Sequence, residues 1–597
     1  MNRAGLAGLI ALCGALSSYG DTGVQHVTGN GRITVALDGA GVLTHFSWPG
    51  PGAGQHLGAS GAHWVIGSLE RPERFHTNGW RIEQEYLAPD SLVLVTRYSE
   101  VGGERSAEQI VAVVPGTDLV LVLLRLHGFA PDTPCFWAQS VEPLDLRPRG
   151  FASFQPEVRR LNRGVSLFEA RPGILEHFRP ARAGRDYVNA ARDWMARGTD
   201  VEFGPGVYIG AKTLHEAHGL EWDSTSSPEE TAAGSPRPVS RRAWGVETGV
   251  TEVAGTASEA TREFAVLLGA SDTREGLRAA FTEGLKRSVE ELIASPSELS
   301  GYWAGAPETV TRTDPAAIRA RLNLSLCLDP TSGAAVRAPA LSGAATLCDV
   351  VDTAWASAAL DALGRHDDAA RALAVHVETI RTERGTDTPA GSLPRAIYRD
   401  GTSASPWGNA DPASAAWLLA ACWRHMVSLP ADGQRDYLQA VWPALSLSAD
   451  YLAREPRVGG ALSGALPAEA APLDTLRVQY LGLESGRRMA AVIEVAEPEL
   501  WSDRREEIYS RIRFRKLNQA GLGEGGEPWI DWWLNTLPGA TSDGLGAWEV
   551  LRTEGATALT ASAILDWVVE SGLGPEAPFL RRDALRCLLV AGAAEAP

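Results

Sequence analysis

Two hydrophobic rhythms divide this chain. From Val27 to about Val266, short apolar runs alternate with polar positions and are cut by Gly, Pro, Asn and Asp. They read RITVALD, GVLTHFSWP, HWVIGSL, SLVLVTRYS, SAEQIVAVV, DLVLVLLRLHG, GVYIGAKTL and EFAVLLGA. Alternation at period two, with turn dipeptides such as Asp38-Gly39, predicts antiparallel strands. So large a strand-rich segment predicts a two-sheet antiparallel β-supersandwich over residues 23–272 rather than one immunoglobulin-sized unit. Inside it, Tyr187 to Gly198 reads as a short helix and Gly219 to Arg242 as a polar surface loop.

Thr273 to Gly305 changes to an amphipathic helical pattern followed by a polar break, as expected of a linker helix over 273–305. From Pro307 onward strand signals nearly vanish. Helical patterns follow one another at Pro315–Leu328, Val351–Leu363, Asp367–Arg384, Pro412–Met426, Gln434–Ala453, Leu476–Ala496, Asp503–Leu517, Glu527–Leu534 and Thr560–Glu570. About ten to twelve helices joined by short loops predict a closed (α/α)6 toroid of six hairpins over 306–597. The fold class is therefore multidomain β + α, and loops at one end of the inner helices form the expected funnel.

The stretch Gly391 to His425 carries the first candidate chemistry. Tyr398, Asp400, Gly401, Thr402, Pro406 and Trp407 lie in an irregular segment between two helical patterns, and Asp411-Pro412 then supplies an N-cap and a first-turn proline. An indole beside polar groups suits a sugar ring, whose CH face stacks on the aromatic while its hydroxyls meet carboxylates and amides. Tyr398, Arg399, Asp400, Trp407, Asp411 and, further on, Trp548 are the candidate substrate contacts.

Composition narrows the partners. Of 597 residues, 44% are hydrophobic and 21% charged, and the net charge is −18. So acidic a surface repels phosphate backbones and anionic bilayers, which excludes nucleic acid and membranes as expected partners. The six cysteines show no CxxC spacing, and Cys327, Cys348, Cys422 and Cys587 sit in or beside apolar helical patterns, as buried thiols do. His215 and His218, three apart with no third ligand, read as solvated surface, so no metal is expected. No cofactor motif appears, and with only His366, His376 and His425 in the helical half, carboxylates are the natural proton carriers. Residues 1–22 hold one positive charge, a short apolar run and then small residues. They read either as a signal peptide, which places the protein outside the cytoplasm, or as a disordered lead, which places it inside. The oligomeric state is not legible.

Several words of the sequence together resemble bacterial glucoamylase-like enzymes of glycoside hydrolase family 15. Gly29 to Gly52 (GNGRITVALDGAGVLTHFSWPGPG) is similar to the opening of that family's N-terminal domain, and Arg321 to Pro339 to its first toroid helix and following loop. Gly391 to Ala420 resembles its substrate-lining segment, and Gly544 to Val569 its last shared block. The resemblance implies exo-acting, inverting hydrolysis of α-glucosidic bonds by two carboxyl groups roughly 6.5–9.5 Å apart. It implies Glu549 as general base. At the general acid the sequence departs: counting back eleven residues from Ser485 gives Asp474, with Glu469 as the alternative, while Glu484 beside Arg487 and Arg488 reads as an ion pair. A second departure falls at CDVVDTAW, where the family has a Trp-Leu-Arg-Asp word whose Arg and Asp grip the terminal sugar. Asp352 takes the Asp position or is a plain helix N-cap, and Val351 replaces the Arg. Three consequences stay open: a terminal sugar other than glucose, substitution by Arg395 or Arg399, or a decayed site. The function expected is release of a terminal sugar from α-linked oligo- or polysaccharides. The alternatives are a catalytically degenerate glycan-binding protein and a phosphorolytic relative.

Overall fold

The computed structural model describes residues 24–141 (less 54, 68–72 and 76–78), 206–214, 248–304 (less 258–260), 315–340, 347–383, 389–404, 412–454 and 473–519. It also describes 165–168, 174–180, 221–224, 242–244, 457–458, 466–467 and most of 580–588. Two compact units result. One comprises Met1–Gly305, Pro339–Thr346 and Gly572–Pro578; the other comprises Ala306–Ala338, Leu347–Ser571 and Phe579–Pro597.

Strands of the first unit run β1 (Val24–Gly29), β2 (Thr34–Asp38), β3 (Leu43–Ser47), β4 (Leu57–Ile66), β5 (Trp80–Tyr86) and β6 (Leu94–Glu100). They continue as β7 (Ser106–Val114), β8 (Leu119–His127), β9 (Cys135–Val141), β10 (Val165–Phe168), β11 (Ile174–Pro180) and β12 (Gly206–Thr213). The last are β13 (Glu221–Ser224), β14 (Arg242–Trp244), β15 (Thr248–Glu252), β16 (Gly255–Ala257) and β17 (Thr261–Ser271). A seven-stranded sheet has the order β1-β2-β3-β4-β9-β15-β13, and a ten-stranded sheet the order β14-β10-β11-β12-β17-β8-β7-β6-β5, with β16 on β17.

The nearly unbroken apolar run of β8 follows from burial on both faces. Val120, Val122, Leu124 and Leu126 join Val35, Leu37, Phe46 and Trp137 in the core between the sheets. Leu119, Leu121 and Leu123 face the other way, against Leu277, Phe281 and Leu292. Those three residues come from the stretch 273–305, which folds as α1 (Arg274–Gly284), α2 (Val289–Ala294) and α3 (Pro296–Ala304). Thr273 caps α1 by accepting from the Gly276 amide, and Ser288 with Glu291 closes a capping box on α2. A methyl at Gly284 would stand 2.7 Å from Leu119 Cδ1 and 2.8 Å from Leu267 Cδ1, so glycine lets α1 lie directly on the sheet. Buried Glu176 on β11 ties the helix down, accepting from Arg274 at 2.8 Å and Arg278 at 2.9 Å.

The second unit holds α4 (Pro315–Leu326), α5 (Val350–Ala362), α6 (His366–Val377), α7 (Pro412–Ser428), α8 (Ala431–Arg454), α9 (Leu473–Val492) and α10 (Glu499–Gln519). Their burial alternates. Helices α5 and α7 are buried nearly all round, whereas α6 and α8 bury one face. That is the signature of inner and outer helices in a two-layer array. The inner helices approach closely through small residues: a methyl on Gly482 of α9 would lie 2.5 Å from Ala416 Cα of α7. Helix α6 ends at Val377, short of the expected Arg384, because the chain turns there through bonds from Thr379 N to His376 O and from Ile380 N to Val377 O. Among the described residues no helix is long and apolar enough to cross a membrane. The Tyr187–Gly198, Glu527–Leu534 and Thr560–Glu570 patterns, His215 and His218, and residues 1–22 lie outside the described residues.

Burial of His376 gives this unit an acid sensitivity. Its Nε2 meets the Thr353 hydroxyl at 3.0 Å, and desolvation pushes its pKa from 6.5 down to about 4. Between those values the unfolded chain binds a proton that the folded one refuses, so stability is whole above pH 6.5 and falls as pH drops. From pH 6.5 to 5 the loss is about 2 kcal/mol, at roughly 1.4 kcal/mol per unit. Urea unfolding at pH 7 and pH 5 checks this: the shift in midpoint should shrink in His376→Gln, and an unchanged shift rejects the assignment.

Candidate functional site

The head of α5 is where charged groups gather. Asp349, with extended backbone (φ −90°, ψ 136°), is the N-cap of that helix, its Oδ1 accepting from the Val351 amide at 2.9 Å. Asp352, one turn in, is therefore not the cap, as the sequence allowed. Its side chain is wholly buried, and each carboxylate oxygen takes one guanidinium: Oδ2 accepts from Arg337 Nε and Oδ1 from Arg581 Nε, both at 2.6 Å. Burial by itself would raise the Asp352 pKa, but the charges of Arg581 and Arg337 outweigh it and hold the carboxyl below its ordinary value.

The network extends from there. Arg337 also reaches Asp349 at 3.4 Å, and Asp349 accepts from Arg395 Nε at 3.3 Å. Asp329, in the loop after α4, is buried, receives the Thr331 amide at 2.8 Å and pairs with Arg399. Backbone pairing sets these groups side by side. The two-residue strand Cys348–Asp349 pairs with Ala396–Ile397, and the Val350 amide donates to Arg395 O at 3.1 Å. Arg337 in turn accepts the Leu580 amide at 2.8 Å, which anchors the start of the helical residues around Arg581.

The segment singled out in the sequence adjoins this network. After Ile397 the chain folds back in a tight turn: Gly401 N donates to Tyr398 O at 2.9 Å, and Tyr398 N to Thr402 O at 2.8 Å. Gly401 sits at φ +77°, a left-handed position that glycine adopts without strain. Tyr398, Arg399 and Asp400 thus stand on a hairpin tip, where the exposed Asp400 carboxylate accepts from Thr402 N at 3.1 Å and its hydroxyl at 2.6 Å. Arg395 pairs with Asp349 and Arg399 with Asp329. Arg337 and Arg581 hold Asp352 instead, fifteen and 229 residues away in sequence, and no local signal announces either.

Asp474 falls in the first turn of α9 rather than in a preceding loop, so the eleven residues to Ser485 are about three turns of one helix. Its side chain is not described. Glu469, Trp407, Asp411, Trp548 and Glu549 lie outside the described residues. Glu484 is an ion-paired carboxylate within the helix packing. It binds Arg487 at 2.6 Å, Arg488 at 2.9 Å and Arg505 at 2.6 Å; burial raises its pKa, but these arginines, Arg487 first, bring it below the usual range. Among the described residues no group of three or more His, Cys, Asp and Glu side chains is arranged to hold a metal ion.

No protein-family model matches the chain, and no curated protein sequence does. Solved structures do. A bacterial glucoamylase with acarbose bound is 11% identical, with a TM-score of 0.61, the match covering 83% of this chain and 67% of that one. A human-microbiome protein described as a kojibiose phosphorylase is 6% identical, with a TM-score of 0.50 over 82% of this chain and 67% of that one. Identities this low speak to architecture alone: the chain shares the fold of these two structures, a strand-built unit followed by a helical one.

Proposed function

We propose that this protein is a glycan-active enzyme that releases a terminal sugar from α-linked oligo- or polysaccharides with inversion. Glu549 is the general base that takes a proton from the attacking water. Asp474, or Glu469 in its place, is the general acid that protonates the leaving oxygen. The observation that carries the reading is the fold shared with a glucoamylase, with a charged network at the head of α5 beside the Tyr398–Asp400 hairpin. A sugar presents many hydroxyls, and carboxylates and guanidinia fixed by one another are what such groups bind.

Purified protein incubated with a panel of α-linked oligosaccharides and followed by proton NMR tests the proposal. The first sugar released should be the β-anomer; α-anomer first overturns inversion, and no release from any member overturns hydrolysis. The likeness to a protein described as a phosphorylase favours one second reading, in which phosphate replaces water. A sugar 1-phosphate appearing only with added phosphate would establish it over hydrolysis.

A further inference from the structure

The residue that occupies the sugar-gripping position by resemblance is sealed. Asp352 has no exposed side-chain surface, and both its oxygens are already bonded to guanidinia. A carboxylate with no exposed surface is out of reach of a ligand hydroxyl, although two guanidinia do not fill its acceptor sites. What it does is fix two arginines in place, and the two are not equivalent. Arg337 reaches a second carboxylate, Asp349, at 3.4 Å. Arg581 makes its one ion pair, among the described residues, with Asp352, and it does so through Nε. Its two terminal nitrogens carry four N–H donors in one plane, and its side chain keeps 21% exposure.

We infer that Arg581 is a substrate-binding residue, held in register by Asp352, whose free guanidinium fork takes two adjacent oxygens of the terminal sugar. The inference rests on the glycan-active reading above. Nε bonded to a buried carboxylate removes most of the rotamer freedom that an arginine otherwise loses on binding. The planar fork matches a pair of neighbouring oxygens, which a vicinal diol supplies from two adjacent carbons and a carboxylate from one. Asp352 is then a positioning residue, and the guanidinium absent at Val351 is supplied from the other end of the helical unit's sequence.

Arg581→Lys is the informative variant, because lysine keeps the positive charge beside Asp352 and loses the fork. Its unfolding midpoint should stay near the wild-type value. Its affinity for a neutral α-linked oligosaccharide, read by calorimetry, should fall roughly 10–100-fold, the range for a charged hydrogen bond lost. In turnover the loss should appear in KM more than in kcat. Repeating the titration with a uronate-terminated oligosaccharide tells the diol from the carboxylate by which ligand the substitution weakens more. Wild-type affinity in the lysine variant for both ligands overturns the role of Arg581 and leaves the proposed activity standing. Absence of binding or turnover by the wild-type protein across the panel overturns both.

Discussion

The Glu549→Gln protein is expected to lose roughly 10²–10⁴-fold in kcat, the usual contribution of a positioned acid–base group, while unfolding at the wild-type midpoint. Glutamine matches glutamate in shape and keeps an acceptor oxygen, so a sugar and a water still fit. It cannot take a proton, so the water remains a poor nucleophile. KM should change little, since the lost interaction belongs to the transition state. Leaving-group chemistry separates the two carboxyl roles. Loss of the acid, through Asp474→Asn or Glu469→Gln, matters least for glycosyl fluorides, whose leaving group departs without protonation. Loss of the base matters for every substrate. The variant that regains rate on a fluoride therefore identifies the acid, and a Glu549→Gln protein of full activity removes the base assignment altogether.

The architecture was legible because burial leaves periodic marks. The β8 run is apolar at consecutive positions since one face meets the second sheet and the other meets α1 and α2. The same reasoning read α5 and α7 as helices, and their nearly all-round burial marks the inner layer. The charged network was not legible, for a physical reason. An ion pair has no period: Arg337 and Arg581 meet at Asp352 because the loop after α4 and the described helical residues around 580–588 converge there. Two aspartates three apart stand at the start of an apolar helix, and only backbone geometry makes Asp349 the cap and Asp352 the buried acceptor. The Tyr398–Asp400 turn falls in a stretch that the sequence already marked as irregular, whereas the partner of Arg399 was not legible there.

Removing the Asp352 charge should be among the costly single changes in the described part of the helical unit. In Asp352→Asn two guanidinia lose their common counter-ion, and an amide cannot accept from both as a carboxylate does. Breaking a buried pair from one side typically costs 3–5 kcal/mol. Arg337 and Arg581 keep 27% and 21% exposure, so water relieves part of the penalty and about 3 kcal/mol is expected. Taking away Arg581 alone should cost less, because Arg337 remains on the carboxylate. The pH dependence has a definite sign. Opposing arginines hold the folded-state pKa of Asp352 below its ordinary value, so its contribution is present above the unfolded pKa, near 4, and is lost as pH falls through the folded value. Urea midpoints of wild type and Asp352→Asn should therefore differ most at neutral pH and converge in acid. A gap that stays constant down to pH 2 would mean that Asp352 is not an ion-paired acceptor, and the positioning role assigned to it toward Arg581 would fall with it.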